Sequence, residues 1–317
     1  MTSNPPNRPL IEVRGLHRYF GKTKAVQDMS FKVFPGEVFG YIGPNGAGKT
    51  TSMRILATLD EPTYGNAFVD GFSVVDDPDR VRRRLGFMPD YFGAYQNVNV
   101  YEYLDFFARS YGLRGAQRTG AIHYVMDFTQ LDKLADKPID GLSKGMKQRL
   151  CLGRTMIHDP AVLILDEPAA GLDPRARIEL REMIALLAKN GKAVLISSHI
   201  LTELAEICDR VGIIEQGKLL AVGSVDEISG RAETISKVQV RVLDGTERLI
   251  TWLTARDDIA DIVQKDRGVA FTHEGGPPKQ AELLKQLVQA EFAVVDFASK
   301  TKSLEDVFLH VTEGRVQ

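Results

Sequence analysis

The residues with the clearest chemical meaning form one glycine-rich stretch with the pattern G-x-x-x-x-G-K-[ST]. Its members are Gly43, Pro44, Asn45, Gly46, Ala47, Gly48, Lys49 and Thr50. The glycines allow a tight turn in which successive backbone N–H groups face phosphate oxygens. Lys49 supplies a compact cation for the β- and γ-phosphates, and the Thr50 hydroxyl can ligate Mg²⁺. The stretch predicts a nucleoside triphosphate site; a glycine-rich turn without a ligand is the alternative.

The segments on either side of this stretch favour the phosphate site over a simple turn. Glu37–Ile42 has the apolar pattern of a strand, and Thr51–Leu59 has the pattern of a helix. A helix that begins at the loop directs the positive end of its dipole at a bound anion. The order strand, loop, helix is therefore the one that this chemistry requires.

Two acids follow an apolar run further along the chain. Ala161–Asp166 is an apolar run that ends in an acid and fits a buried parallel strand, and Glu167 comes directly after it. Ligands of open α/β sheets bind at the carboxyl ends of the strands. Asp166 is predicted to hold Mg²⁺, and Glu167 to take a proton from an attacking water. A solvated acidic turn is the alternative, which the phosphate-binding stretch upstream disfavours.

A third segment, L-S-K-G-M-K-Q-R from Leu142 to Arg149, lies between these two motifs. It leads into a predicted helix at Gln148–Ile157. Ser143 fits an N-cap position, and the start of the helix predicts a second anion site. Helix capping alone would explain this segment. Its position between the other two motifs is what makes it evidence for a second anion site.

The elements that must position these residues indicate an α/β domain over residues 10–229, with a mixed sheet. Short strands at Leu10–Val13 and Ser30–Val33 indicate an antiparallel layer. Helical patterns at Val98–Leu113 and Thr119–Thr129 indicate a helical subdomain. Further elements are expected at Arg175–Lys189 (helix), Ala193–Ser197 (strand) and Val211–Glu215 with Lys218–Val222 (hairpin).

The composition changes at Ser229-Gly230-Arg231, and residues 230–317 are predicted to form a small accessory α+β domain. Asp244-Gly245 is typical of a hairpin turn, which would join a strand at Lys237–Val242 to one at Leu249–Leu253. Later elements are expected at Asp257–Gln264 (helix), Val269–Thr272 (strand), Lys279–Ala290 (helix), Phe292–Phe297 (strand) and a last helix capped by Ser303 with Asp306.

Bulk properties narrow the classes of function. A net charge of −2 over 317 residues gives no electrostatic footprint for nucleic acid. Cys151 and Cys208 are too few for a disulfide framework or a zinc site, and a buried free thiol in a reducing cytosol is expected for both. No run approaches the roughly 18 apolar residues that span a bilayer. Residues 1–9 are polar and proline-rich and are expected to be a disordered leader.

Together these motifs resemble the ATP-binding cassette (ABC) ATPases, the nucleotide-binding subunits of ABC transporters. Gly43–Thr50 matches the Walker A motif, Leu142–Met146 the signature (usually L-S-G-G-Q) and Val162–Glu167 the Walker B motif. Gly171–Asp173 matches the D-loop, and His199 the switch histidine. The resemblance covers about residues 10–223, and these five motifs, with the aromatic Phe20 upstream as a sixth, follow the family's order.

The resemblance implies roles for residues that spacing alone leaves open. Phe20 lies where the family stacks an aromatic ring on adenine, although Tyr19 beside it is an alternative. His199 and Glu167 would act with Lys49 in catalysis. The implied nucleotide contacts are Phe20, the Walker A residues Gly43 to Thr50, Thr51, Ser143, Gly145 and Asp173; the implied magnesium contacts are Thr50, Asp166 and Asp90.

Family cassettes pair head to tail and enclose two Mg-ATP molecules. The resemblance therefore implies ATP and Mg²⁺ as ligands, and an ATPase that pairs with itself or with a paralogous cassette. The signature variant and the appended domain are similar to the bacterial exporter branch, in which an integral-membrane permease is a separate chain. A location on the inner face of the cell membrane, through that permease, is then expected. The transported substrate is left open.

The sequence departs from the family pattern at three positions. Asp90 stands where Gln usually follows Pro, which changes both reach and charge near the expected metal. Lys144 replaces the first signature glycine, and Met146 replaces the glutamine. Lys144 adds positive charge near the nucleotide or is simply solvated. The family docks a permease helix where this sequence has the aromatic residues Tyr91, Phe92, Tyr95, Tyr101 and Tyr103. Internal packing is the alternative for about half of them.

Other functional classes fit less well. A cassette ATPase acting on nucleic acid or ribosomes is the second candidate, but such relatives usually carry two cassettes or long coiled coils, and this sequence has one P-loop and no heptad run. A GTPase would need an N-K-x-D motif, which is missing from the sequence. The presence of Glu167 and His199 disfavours an inactive regulatory protein.

Overall fold

A computed structural model describes residues 8–91, 93, 97–198, 200, 204–230, 235–265 and 268–300. The chain divides into two compact units, residues 1–222 and 223–317. The sequence places the domain boundary a few residues later, at 229/230. The predicted leader lies almost wholly outside the described residues, as does the predicted helix capped by Ser303.

An antiparallel sheet of four strands forms one layer of the first unit. In sheet order the strands are β2 (Thr23–Val33), β1 (Ile11–Phe20), β4 (Tyr64–Val69) and β5 (Phe72–Ser73). β1 pairs with both β2 and β4, and each pairing contains register shifts. The predicted antiparallel layer is confirmed, with strands that extend beyond the apolar segments that indicated them.

The central sheet carries the chemistry-bearing segments. In sheet order it consists of β10 (Lys218–Ser224), β9 (Arg210–Glu215), β3 (Val38–Ile42), β8 (Ala193–Ser198), β7 (Val162–Leu165) and β6 (Leu85–Met88). The pairs from β9 to β6 are parallel. Every residue of β3, β7 and β8 is buried, as expected of parallel strands covered on both faces. Gln216 (φ 48°) and Gly217 (φ 78°) close the predicted hairpin in a type I′ conformation.

Six α-helices of the first unit lie wholly within the described residues. They are α1 (Lys49–Leu56), α2 (Pro78–Arg84), α3 (Val100–Ser110), α4 (Gly115–Phe128), α5 (Lys144–Met156) and α6 (Pro174–Lys189). Short 3₁₀ turns cover Asp132–Leu134 and Ile139–Gly141. α3, α4 and α5 pack together as the predicted helical subdomain, through buried side chains such as Leu104 and Ile122.

The second unit begins with α7 (Val225–Gly230) and is built on a four-stranded antiparallel sheet. In sheet order its strands are β12 (Ile259–Lys265), β13 (Gly268–Glu274), β11 (Ile235–Val242) and β14 (Val294–Lys300). α8 (Thr246–Thr254) and α9 (Pro277–Gln289) complete it. A separate apolar core includes Val240, Leu249, Phe271 and Leu287.

Two elements expected in this unit are wrong. Leu249–Leu253, expected to be a strand, lies within α8, and Asp244-Gly245 leads into that helix instead of closing a hairpin. Asp257–Gln264, expected to be a helix, is largely the strand β12. The strand around Val269–Thr272 and the helix around Lys279–Ala290 are confirmed.

Cys151 and Cys208 are buried free thiols, as expected, and burial raises the pKa of both. Among the helices of the described residues, none combines the length and the apolar character that crossing a bilayer requires.

Candidate functional site

The glycine-rich stretch joins β3 to α1 in a conformation that requires glycine. Gly48 has φ 101°, a value that side chains rarely tolerate, and a Cβ there would overlap the carbonyl oxygen of Ala25. A Cβ at Gly43 would overlap the carbonyl oxygen of Ile214. The loop backbone therefore packs tightly against these two carbonyl groups. Its tip, formed by Pro44, Asn45 and Gly46, is exposed. A glycine-rich loop of this kind can direct backbone N–H groups at a phosphate.

Lys49 begins α1 and is 5% exposed. Its Nζ donates hydrogen bonds to the carbonyl oxygens of Gly43 (2.6 Å) and Pro44 (3.2 Å). Burial lowers the pKa of Lys49, and the nearby carboxylates of Glu167 and Asp166 counteract that effect. Backbone oxygens hold the ammonium group inside the loop, within reach of an anion bound there.

A hydrogen-bonded chain links the loop to the acidic strand end. The Thr50 hydroxyl donates to Asp166 Oδ2 at 2.7 Å, and the Ser197 hydroxyl donates to Asp166 Oδ1 at 2.5 Å. Ser197 Oγ also accepts from the backbone N–H of Glu167 at 2.9 Å. Ser197 of β8 thus hydrogen-bonds to both of the acids that follow β7. Sequence reasoning missed Ser197, whose only signal was its position at the end of a buried strand.

These oxygens suit a small hard cation. Mg²⁺ prefers one or two protein oxygen ligands and keeps its remaining positions for water and phosphate. Thr50 and Asp166 present a hydroxyl and a carboxylate of that kind, already in contact with each other. Within the described residues there is no cluster of three or more His, Cys, Asp or Glu side chains, so a dedicated all-protein cage is not built there. The residues fit Mg²⁺ carried with a nucleotide.

The electrostatics of Asp166 reflect its burial. Asp166 is 1% exposed, and burial is the largest influence on its pKa, which it raises; the hydrogen bonds from Ser197 and Thr50 act in the opposite direction. The charges of Asp90 and Glu167 raise that pKa further. Asp90 follows β6, which pairs with β7, and the Asp166 N–H donates to the Met88 carbonyl at 2.8 Å. The structure therefore places Asp90 beside this group of acids, on an exposed loop.

Glu167 has a strained backbone. Its φ is 48°, in the left-handed region that disfavours a side chain, and its N–H is held by Ser197. Such strain recurs at functional positions, where the surrounding structure fixes a side chain in a required direction. The side chain is half-buried beside Lys49 and Asp166.

The signature motif and the D-loop each lead into the start of a helix. Ser143 is the N-cap of α5, as expected, and its hydroxyl accepts from the Met146 N–H at 3.3 Å. Asp173 is the N-cap of α6 and accepts from the Ala176 N–H at 2.9 Å. Both caps are exposed, and Gly145 is half-buried in the first turn of α5. The two helix starts lie against each other, with Ala176 of α6 next to Gly145 of α5.

The rings of Tyr19 and Phe20 differ in their contacts and in their exposure. The Tyr19 hydroxyl hydrogen-bonds with His17 Nδ1 at 2.8 Å, and its ring packs against Tyr64. Phe20 is 48% exposed, and the Arg18 guanidinium lies 4.5 Å from the centre of its ring. Phe20 is thus the ring with a free surface. Thr51 is half-buried in the first turn of α1, and the prediction for His199 lies outside the described residues.

Comparison with known proteins agrees with this geometry. A family model for the ABC transporter domain matches residues 26–170. The chain is 33% identical to Nod factor export ATP-binding protein I of Ralstonia nicotianae, over 96% of this chain and 94% of that protein. It is 37% identical to the probable multidrug ABC transporter ATP-binding protein YbhF of Escherichia coli, over 72% of this chain and 39% of that protein.

Solved structures give the same class. The ATP-binding subunit of an ABC transporter superposes with a TM-score of 0.64 at 31% identity, covering 70% of this chain and 92% of that one. A dimeric bacterial ABC transporter cassette shares the fold, with a TM-score of 0.61 at 23% identity, over 68% of this chain and 98% of that one. The chain belongs to the ATP-binding proteins of ABC transporters.

Proposed function

We propose that this chain hydrolyses Mg-ATP to power an ABC exporter whose membrane permease is a separate chain. The observation that carries the proposal is the hydrogen-bonded chain from Thr50 through Asp166 and Ser197 to Glu167. It connects the phosphate-binding loop, the Thr50–Asp166 pair and the Glu167 carboxylate in one group. The names of the export and multidrug relatives support the direction of transport.

In this proposal the phosphate-binding loop binds the nucleotide through backbone N–H groups of residues 43–51. Lys49 neutralises the β- and γ-phosphates, and Phe20 offers the free face of its ring to adenine. Thr50 and Asp166 hold Mg²⁺, with Asp90 close by as a further negative group. The metal, when bound, offsets the charge that develops on the transferred phosphate.

Glu167 acts as the general base. Its carboxylate accepts the proton of the attacking water, and its position is fixed by the Ser197 hydrogen bond to its backbone. Asp166 receives two hydroxyl donors and stays oriented toward the metal side. His199 is proposed to contact the γ-phosphate beside Glu167. Ser197 is a positioning residue, because it touches the two acids but not the reacting atoms.

A second cassette completes the site. We propose that two cassettes meet head to tail, so that Ser143 and Gly145 of one chain face the nucleotide held by Lys49 of the other. Asp173 then lies at the seam. The exposure of Ser143 and Asp173 at two helix N-termini supports this arrangement, since such termini attract anions. A homodimer and a pair with a paralogue both satisfy it.

The permease contact is proposed at the aromatic surface of the helical subdomain. Tyr91 is 76% and Phe106 54% exposed, and a cavity of about 360 Å³ is lined by Asn97, Val98, Glu102, Tyr103 and Phe106. Exposed aromatic grooves of this kind receive amphipathic helices. Docking there would hold the chain at the cytoplasmic face of the membrane.

The solution mass of Glu167→Gln, measured with and without Mg-ATP, tests the proposal. Without its general base the protein retains ATP, so we expect a doubled mass only when Mg-ATP is present. Wild-type protein should turn ATP over, and Glu61→Gln, a change of the same kind at an exposed position, should match it. A Glu167→Gln protein that hydrolyses ATP as fast as wild type would refute the role of Glu167.

A further inference from the structure

The first turns of α5 and α6 lie against each other within one chain. A Cβ added at Gly145 would lie 3.2 Å from the Cβ of Ala176, so the two helices approach closely at this point. α5 begins after Ser143, and α6 begins after Asp173. The two caps that the proposed dimer presents to a partner are therefore neighbours before any dimer forms.

Lys144 crosses from one helix start to the other. Gly171 has φ 66° in the turn before Asp173, and a Cβ there would overlap Lys144 Nζ and lie 3.3 Å from its Cε. The lysine thus lies over the bare backbone of the turn. A lysine in the first turn of a helix faces the positive end of the dipole, which is unfavourable by a few tenths of a kcal/mol. Lys144 is exposed, and its side chain nevertheless folds back onto the turn at Gly171.

A second contact fixes the same two helices one turn further on. The Arg149 guanidinium forms an ion pair with Glu179 of α6, and the two side chains are only 16% and 24% exposed. Arg149 also donates to Gln130 Oε1 at 3.0 Å, and Glu179 accepts from Arg175 at 3.1 Å. Each partner has a further polar contact, so the pair has little freedom to swing away.

We infer that Lys144 is a positioning residue that holds the turn at Gly171 against the start of α5, and so fixes the spacing between Ser143 and Asp173. The Arg149–Glu179 pair anchors the helices behind it. The consequence rests on the proposed function. The half-site that faces a partner's nucleotide is already ordered before the dimer forms. Less ordering is then left to be done when the dimer closes.

Two measurements on Lys144→Ala test the inference. The first is hydrogen exchange of the amides of residues 170–173 in the monomer without nucleotide, where Ala170 and Leu172 donate to Glu167 and Ala169. We expect exchange there to be about tenfold faster, because the turn loses its cover. The second is the Mg-ATP concentration that gives half-maximal dimer in the Glu167→Gln background, which we expect to rise about five- to tenfold.

Two matched variants separate positioning from charge or folding. Lys144→Arg keeps the charge on a long side chain and should restore both values to within about twofold. Lys147→Ala removes the same side chain three residues along α5 and should leave both unchanged. Unchanged exchange in Lys144→Ala would overturn the inference, even if no dimer ever forms. Failure of Glu167→Gln to dimerise with Lys144 present counts against the proposed dimer instead, and the exchange result still decides the role of Lys144.

Discussion

At the scale of single residues, the site depends on charges kept out of water. Burial lowers the pKa of Lys49 and raises that of Asp166, so each group is less well solvated in its charged form than in the unfolded chain. The charges of Glu167 and Asp166 counteract this for Lys49, whereas the charges of Asp90 and Glu167 raise the pKa of Asp166 further. The site therefore reduces the stability of the fold for the sake of its chemistry.

Asp166→Asn should accordingly stabilise the protein while it abolishes ATP turnover. The folded-state pKa of Asp166 lies above its ordinary value, so its contribution to the free energy of unfolding is greatest at acid pH. It falls as pH rises through that raised pKa. The neutral amide removes this loss, and we expect a higher free energy of unfolding at pH 7, a gain that disappears toward acid pH. Urea unfolding in EDTA across this pH range measures it.

Asp132→Asn is the control for this prediction, because Asp132 is exposed and the same substitution there should change the free energy of unfolding little at any pH. An Asp166→Asn protein that is less stable than wild type at pH 7 would mean that the hydroxyl donors Thr50 and Ser197 outweigh burial. The charge would then contribute to the stability of the fold.

At the scale of elements, the sequence predicts the central sheet well because its strands are continuous apolar runs bounded by motif residues. It fails in the second unit, where short segments are ambiguous. Leu249 and Leu253 are buried four residues apart in α8, but the intervening Ile250, Thr251 and Trp252 favour a strand.

β12 shows the opposite error. Its half-buried residues, Ile259 and Ile262, are three apart, a spacing typical of a helix. The structure produces that spacing with a register shift between Ala260 and Val263, where Asp261 has φ 52°. A bulge of this kind moves the side-chain alternation by one residue, and nothing in the local sequence predicts it.

The candidate site contains residues that the sequence predicts and one that it does not. Spacing along the chain identifies Lys49, Thr50, Asp166 and Glu167, because each belongs to a motif. The role of Ser197 depends on the parallel register of β7 with β8, in which Leu165 faces Ile196. That register brings Ser197 to Asp166 across 31 residues of sequence. Contacts of this kind come from the assembled sheet and not from any local pattern.

The start of α6 yields a prediction that separates capping from function. Asp173 caps the helix through the Ala176 N–H, and Asn caps as well as Asp. We expect Asp173→Ala to lose about 1 kcal/mol of the free energy of unfolding, and Asp173→Asn to lose less than about 0.5 kcal/mol. Both should reduce ATP turnover, because both remove the carboxylate from the proposed seam. Equal stability losses in the two variants would show that the charge, and not the cap, stabilises this helix start.

At the scale of the whole molecule, two apolar cores lie in two separate units. One includes Val13, Leu56 and Ile164 around the central sheet, and the other includes Val240, Phe271 and Leu287. The P-loop belongs to the first. The single tryptophan, Trp252, belongs to the second, where its ring packs against Phe292. Ligand binding and tryptophan fluorescence therefore report on different units.

We expect the two units to unfold in separate transitions. Mg-ATP at about 100 times its dissociation constant should stabilise the first unit by about 2.7 kcal/mol, raising the calorimetric transition that tryptophan fluorescence does not follow. Phe271 is 2% exposed, and Phe271→Ala should destabilise the second unit by about 3–5 kcal/mol and lower only the fluorescence transition. The conservative change Phe271→Leu should lower it much less. If Mg-ATP moved both transitions together, the second unit would depend on nucleotide state, as a regulatory domain would.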